Sequence, residues 1–392
     1  MGDGRRSTFG TRSDSLGTAR PQPRSTRIAL KLSGVRKYQL FIAIGIVGLV
    51  AIGGAGFSAK GSRAAVAPAL NVEPLASPPS ENGIPQLSDQ VQLQLAAHNF
   101  EALESSYQEI RTGDARFEGG IPRLYAFYRA LALQPVEGYH WRDYTFEVVS
   151  DAAFQQRRAL LEAWRMAKPD SNAPRISLAL LWRNYAWQAR GHEEVDHTSS
   201  DQIQGFAGRL MKEAGVLYNV PRTDPEVYET LLSLARDLGM PRPQLDALYR
   251  EAVGKYPGYL PIYVLRANVL QPKWYGAPGE LKEYADSLLR EPGGDLGRIT
   301  YSLVAVQQFN AYAFVELFKK SELNWPDVKS GFDLRERLYG FSNEDWNMYL
   351  YLACAAGDRA TAKEAAQHVG EWIPFIWQEK HWFDQDVAWA RS

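Results

Sequence analysis

The sequence predicts an all-α protein: a tetratricopeptide-like α-α solenoid that follows a single N-terminal transmembrane helix. Three observations support this fold class. One uncharged apolar stretch lies near the N-terminus, apolar residues then recur at helical spacing over most of the chain, and the alternation typical of strands is nowhere convincing. The domain organisation follows from taking these segments in order.

The first segment, residues 1–37, is basic and poor in large apolar side chains. Its arginines and lysines outnumber its two acidic residues, Asp3 and Asp14. Such a composition cannot bury enough apolar surface to fold alone. We therefore expect a disordered cytoplasmic tail.

Residues 38–57 are predicted to form the transmembrane helix. Residues 40–57 carry no charge, and with Tyr38 and Gln39 the segment reaches about 30 Å as a helix, the thickness of a bilayer core. The basic tail ahead of it predicts a cytoplasmic N-terminus. A cleaved signal peptide is the alternative, but a leader of 37 residues is longer than a usual n-region, so we expect a retained anchor.

Residues 58–87 are predicted to be a linker, because prolines interrupt both helix and strand. Its prolines are Pro68, Pro74, Pro78, Pro79 and Pro85. The helical-repeat domain is then predicted to span residues 88–392, on the outer side of the membrane.

Helical periodicity begins in this domain and continues to its end. The first apolar face is formed by Phe100, Leu103, Tyr107 and Ile110. Apolar residues recur in the same way before and after Pro169, which predicts two successive helices separated by a turn.

Two helix starts carry the spacing of a capping box, in which a Ser or Thr side chain and an acidic side chain three residues later bond each other's backbone. The first pair is Thr223 and Glu226, with Pro225 in the first turn. The second is Ser342 and Asp345. We expect Thr223 and Ser342 to cap their helices.

The C-terminal region also fits the frame of a 34-residue tetratricopeptide repeat. The matching residues are Trp346, Tyr349, Ala353, Gly357, Asp358, Ala362 and Pro374. Partial matches occur around Ala252 and Trp164, at irregular spacing. Together they favour antiparallel helix pairs stacked into a curved array.

Three blocks, at residues 98–131, 271–280 and 324–366, resemble the bacterial family catalogued as domain of unknown function 4034. The most specific of them contains the sequence Lys273, Trp274, Tyr275, Gly276. The resemblance implies a tetratricopeptide-like helical fold in a bacterium. Together with the anchor it predicts an inner-membrane protein whose C-terminal domain is periplasmic or otherwise extracytoplasmic. It implies no activity.

No catalytic residues, metal ligands or cofactors are predicted. His192 and His197 are five residues apart, which on a helix would separate them by about 140°, too far for both to bind one zinc ion. Polar residues follow them between two predicted helices, so we expect a solvated loop. Cys354 is the only cysteine, so no intramolecular disulfide can form. Beyond the tail the chain is net negative, and a nucleic-acid partner is therefore not expected. Carboxylates along the helices are interpreted as solvated faces or ion pairs.

The candidate binding site is the 273–276 loop: Lys273, Trp274, Tyr275 and Gly276. Two aromatic residues on a loop rich in Pro and Gly either fill a groove between the helices that end near Leu270 and begin near Glu280, or form a platform for a ligand. We expect the first. The tryptophans near the C-terminus are expected to cover the core of the last repeat.

The leading functional hypothesis is a membrane-anchored scaffold whose domain binds a protein or peptide partner. One alternative is a cell-envelope hydrolase or transferase with a site in an aromatic-lined groove, which paired buried carboxylates facing one cleft would favour. The other alternative is a structural spacer, which a surface without an aromatic cleft would favour.

Overall fold

The computed structural model describes residues 83–132, 149–191, 197–309 and 311–392. Within these ranges the protein has 17 α-helices and no strands, so the predicted all-α class is confirmed. The predicted tail 1–37, the predicted transmembrane helix 38–57 and the linker up to residue 82 lie outside the described residues. None of the helices in the described ranges has the length and apolarity needed to cross a membrane.

The helices are numbered here in chain order. They are α1 (Gly83–Ala96), α2 (Phe100–Thr112), α3 (Arg123–Leu131), α4 (Asp151–Ala167), α5 (Ala173–Arg190), α6 (Ser200–Leu217), α7 (Pro225–Asp237), α8 (Arg242–Lys255), α9 (Leu260–Val269), α10 (Glu280–Arg290), α11 (Gly294–Gln308), α12 (Leu317–Ser321), α13 (Trp325–Tyr339), α14 (Asn343–Ala356), α15 (Arg359–His368), α16 (Pro374–Trp377) and α17 (Lys380–Arg391). Short 3-10 turns occur at Glu118–Gly120 and Phe314–Glu316.

The folded part begins earlier than the sequence predicts. Helix α1 starts at Gly83, so the predicted boundary at residue 88 lies inside it. Pro85 does not prevent this, because N–H groups in the first turn of a helix have no carbonyl partner within the helix, so the N–H that proline lacks is not needed there. Leu87, assigned to the linker, is buried in the core.

The helices from α3 to α11 form two rows. Helices α3, α5, α7, α9 and α11 each pack on the next member of the set, whereas α4, α6, α8 and α10 pack beside them. This alternation is consistent with a helical solenoid. The first row lies deep in the protein: in α9, every residue except Arg266 is buried.

The segment around Gly119 makes contacts with residues far along the chain, whereas a solenoid predicts contacts between successive helices. Between α2 and α3, Gly119 donates its N–H to Gly340 O at 3.0 Å, and Arg335 Nε donates to Gly119 O at 3.0 Å. Gly119 has a φ of 66°, and a Cβ at this position would lie 2.5 Å from an Asp345 carboxylate oxygen. Only glycine fits at this position, and its two hydrogen bonds tie the segment between α2 and α3 to α13 and the turn that follows it.

The two predicted capping boxes have different outcomes. At α14 both hydrogen bonds between Ser342 and Asp345 are present, which confirms the prediction. At α7 the predicted helix start is confirmed, but the prediction that Thr223 caps the helix is wrong. Asp224 caps the helix by accepting the N–H of Glu226, whose own side chain turns into the core.

The C-terminal helices confirm the predicted helix pair and its aromatic cover. Helices α14 and α15 pack together across Gly357, which adopts a left-handed conformation with φ 73°. Trp377 is buried and donates its indole N–H to Asn347 Oδ1 at 2.8 Å. Other aromatic residues near the C-terminus that are buried or packed against the core include Trp372, Trp382, Phe383 and Trp389.

Candidate functional site

The predicted site, the 273–276 loop, is a tight turn directly after α9. Tyr275 N–H bonds Val269 O at 3.1 Å, and Gly276 N–H bonds Gln271 O at 3.2 Å. A Cβ on Gly276 would lie 1.8 Å from Leu270 O, so the turn requires glycine. The backbone therefore holds the two aromatic side chains in fixed positions.

The Trp274 side chain reaches helices that the sequence did not connect with this loop. Its ring lies 4.7 Å from the guanidinium carbon of Arg236 on α7, and its centre is 6.3 Å from the ring of Trp187 on α5, nearly perpendicular to it. Trp187 in turn meets Phe206 of α6 at 4.9 Å. All three rings are half-buried. We call Phe206, Trp187 and Trp274 the aromatic row.

Tyr275 points inward and fixes the other side of the loop. Its side chain packs against the hydrophobic core. Burial raises the pKa of Tyr275 to about 12, against the positive charge of Arg236 and with a contribution from Asp237. Its carbonyl oxygen accepts a hydrogen bond from Arg242 at 3.3 Å. Of the two aromatic residues, Tyr275 packs against the core, whereas Trp274 contacts Arg236 and the Trp187 ring.

Directly beneath the aromatic row lies Asp237, at the end of α7. Its side chain is fully buried, and it accepts hydrogen bonds from the Trp187 indole at 2.9 Å and from Arg183 Nε at 3.2 Å. Arg236 Nε donates to its other oxygen at 2.9 Å. Arg236 also donates to Asn268 on α9 at 2.7 Å. The row is thus connected to charged groups in the interior.

Further buried charges continue along α7 toward its start. Arg129 of α3 pairs with Glu226 at 2.6 Å and with Glu229 at 3.2 Å. Glu226 also accepts a hydrogen bond from the Tyr259 hydroxyl. At the N-cap, Asp224 accepts hydrogen bonds from two buried tyrosine hydroxyls at 2.8 and 2.7 Å.

We call these residues, with Glu213 of α6, the buried charge cluster. Its members are Arg129, Arg183, Arg236, Glu213, Asp224, Glu226, Glu229 and Asp237. Three arginines thus face five carboxyl groups. Burying charge is costly unless each group is paired or neutral, so this excess of acidic groups must change their protonation.

The protonation of the carboxyl groups follows from this imbalance. Burial raises the pKa of Glu213 well above its ordinary value; Arg183 and Arg236 oppose the shift, whereas Asp237 and Glu229 add to it. Burial also raises the pKa of Glu226 to about 8, against the attraction of Arg129. Glu213 is fully buried, and within the described ranges neither of its carboxyl oxygens has a hydrogen-bond partner. It is the cluster's surplus acid.

No sequence pattern predicted this cluster as a unit. Glu226, Glu229 and Arg236 share one face of an amphipathic helix, and the carboxylates on such faces were interpreted as solvated or as members of ion pairs. Here they form ion pairs, and these lie in the interior. A usable signal was present on the partner helices. Arg129 and Arg183 each follow a run of mostly apolar residues in their helices, at 124–128 and 176–182, an arrangement that indicates a buried partner.

The predictions about metal binding fall partly within the described residues. No group of three or more His, Cys, Asp or Glu side chains in these ranges is placed to hold a metal ion. His197 is described and exposed, but His192 lies outside the described residues, so the expected solvated loop and the expected lack of metal and cofactor stay predictions.

Comparison with known proteins gives no match: no family model, no curated protein and no solved structure matches the chain. The resemblance drawn from the three sequence blocks therefore stays an expectation.

Proposed function

We propose that the chain is a membrane-anchored, tetratricopeptide-like helical module that binds a protein or peptide partner outside the cytoplasm. In this proposal residues 38–57 span the inner membrane of a bacterium, residues 1–37 remain in the cytoplasm, and the domain that begins at α1 is periplasmic. The module is not an enzyme and acts as a scaffold.

The observation that carries the proposal is the aromatic row. Half-buried indole rings held on rigid helices and a tight loop can bury more surface when a partner arrives, at little cost in side-chain entropy. Lys273 precedes Trp274 on the same turn and is itself half-buried. The row therefore combines an apolar platform with an adjacent cation.

The two alternatives receive less support from the same region. A hydrolase or transferase would need its carboxyl groups to face a cleft, whereas Glu213 and Asp237 have fully buried side chains beneath the row. A spacer would need no half-buried row of rings. The covered carboxyl groups and the partly open rings together favour binding.

The proposal predicts that Trp274→Ala abolishes partner capture with only a moderate loss of stability. The indole is half-buried, so we expect truncation to cost about 1 to 3 kcal/mol in the free energy of unfolding, less than the ~3 to 5 kcal/mol expected for a fully buried ring such as Trp164. Partners would be captured by crosslinking the full-length chain in its own membrane and identified by mass spectrometry.

The matched control is Trp372→Ala, which truncates a half-buried tryptophan at the C-terminal end. A partner that crosslinks to the wild type and to Trp372→Ala, but not to folded Trp274→Ala, supports the proposal. If the same partners crosslink to all three proteins, the aromatic row is not the binding site.

A further inference from the structure

Glu213 differs from most buried carboxyl groups because it lacks a hydrogen-bond partner among the described residues. It lies on α6, which packs against α5 and α7, and its side chain is fully buried with no hydrogen bond to either oxygen among the described residues. A carboxyl group in such surroundings is accommodated only as the neutral acid. Its proton is therefore part of the folded structure.

The charged groups around Glu213 are already engaged with one another. From α5 the neighbour is Arg183, which donates to Asp237. From α7 the neighbours are Asp237 and Arg236, which form an ion pair at 2.8 Å, and Glu229, which pairs with Arg129. An ionised Glu213 would add a negative charge beside two carboxylates and compete with them for the same arginines.

A short path connects this competition to the surface. Arg183 and the Trp187 indole donate to the same oxygen of Asp237, 3.2 and 2.9 Å away. Arg236, bonded to the other oxygen, lies under the Trp274 ring. A change in the position of Arg183 or Arg236 therefore changes what holds both tryptophans of the aromatic row.

We propose that Glu213 is a pH switch for the aromatic row: while it holds its proton, Asp237 keeps both arginines and the Trp187 indole in place, and when it loses the proton to solvent, the new anion draws the arginines toward itself and loosens the row. The step transfers one proton from Glu213 to water and breaks no covalent bond. The proposal rests on the aromatic row being the partner-binding surface, and adds that partner binding weakens as the solution becomes alkaline.

The sign of the pH effect follows from linkage. A carboxyl group whose folded pKa lies above its unfolded pKa of about 4.5 stabilises the fold fully below that value. As the pH rises, the unfolded chain releases the proton first, so stability falls until the folded pKa is reached. Glu213 therefore contributes a loss of stability that begins above about pH 4.5 and continues as the pH rises toward its raised folded pKa.

The test compares full-length wild type with Glu213→Gln in detergent, from pH 5 to pH 10. Glutamine keeps the shape of the side chain and has no proton to lose. We expect the folding equilibrium constant of the wild type to fall with pH by up to about tenfold per unit more steeply than that of the variant. We also expect acrylamide to quench tryptophan fluorescence increasingly at high pH in the wild type but not in Glu213→Gln.

Two further variants make the result decisive. Asp201→Asn removes an exposed carboxylate from the same helix and should retain the wild-type pH dependence. Glu213→Met removes the acid without leaving a polar group and serves if the glutamine variant does not fold. The proposal is overturned if the variants at position 213 show the same pH slope and the same quenching as the wild type. No partner enters these measurements, so the crosslinking test of function succeeds or fails independently.

Discussion

Helices α7 and α14 begin with the same sequence pattern and place it in opposite surroundings. At α14, Ser342 and Asp345 cap the helix as the pattern predicts, and Asp345 also pairs with Arg335 at 2.8 Å. At α7, Thr223 is exposed and does not cap the helix, while Glu226 turns inward to Arg129. A capping pattern thus predicts where a helix starts but not where its carboxylate goes: Asp345 both caps its helix and pairs with an arginine, whereas Glu226 pairs with an arginine and leaves the cap to Asp224.

The two arginine sites also differ in charge balance. Arg335 and Asp345 form one ion pair, with Arg335 also bonded to Gly119 O, and this matched site ties the segment between α2 and α3 to α13 and α14. The buried charge cluster has more carboxyl groups than arginines and leaves Glu213 without a hydrogen bond among the described residues. We infer that the balanced site serves structure alone, whereas the unbalanced cluster can respond to protons.

The largest effect is expected from Arg335→Ala. Asp345 Oδ1 and Gly119 O would both lose the donor that Arg335 supplies, and breaking a buried ion pair from one side costs about 3 to 5 kcal/mol. That is a large share of the 5 to 15 kcal/mol that stabilises a typical domain. Chemical denaturation of the full-length chain measures the loss.

Arg337→Ala is the matched control, because Arg337 is exposed on the same helix. Its effect should stay within about 0.5 kcal/mol. Equal unfolding free energies for the two variants would mean that the contact with Gly119 does not hold the two parts of the chain together.

The helical pattern of the described residues was largely predictable, because it depends on local periodicity. The starts of α7 and α14, the stop after α4 at Pro169 and the pairing of α14 with α15 follow from residues within a few turns of each other. Phe341 and Trp346, which flank the Ser342 cap at the spacing of a hydrophobic staple, also pack together with ring centres 5.1 Å apart. These features require no knowledge of the tertiary fold.

The contacts that define the candidate site could not be predicted in the same way. Periodicity shows that α7 has a polar face. It does not show whether water or arginines from other helices surround that face, because either can satisfy its polar groups. Likewise, the 273–276 loop was predicted as a site, but its contact with Trp187 joins residues far apart in sequence. Such pairings depend on how helices stack, which no local pattern contains.

A smaller effect of opposite sign is expected from Glu213→Met at pH 8. Replacing a surplus buried acid with an apolar side chain of similar size removes the cost of burying it, so we expect the variant to be about 1 to 2 kcal/mol more stable than the wild type. Asp237→Asn is the contrasting variant, because it removes the carboxylate that holds Arg183 and Arg236, and it should cost about 3 kcal/mol or more.

Denaturation curves at pH 8 measure both changes. If Glu213→Met is destabilised as strongly as Asp237→Asn, Glu213 is a necessary member of the cluster and not its surplus acid, and the contrast with the Arg335 site disappears.

The smallest effect is expected where the sequence and the structure disagree most directly, at Thr223. If Thr223 capped α7, Thr223→Ala would cost about 1 kcal/mol, as loss of a cap commonly does. In the structure its hydroxyl only accepts a hydrogen bond from Asn172 at 3.1 Å, at an exposed position, so we expect a loss of no more than about 0.5 kcal/mol. Ser342→Ala removes a hydroxyl that does cap its helix and should cost about 1 to 2 kcal/mol. Urea denaturation of the two variants side by side decides the matter, because equal losses would place the cap of α7 at Thr223 and release Asp224 from that role.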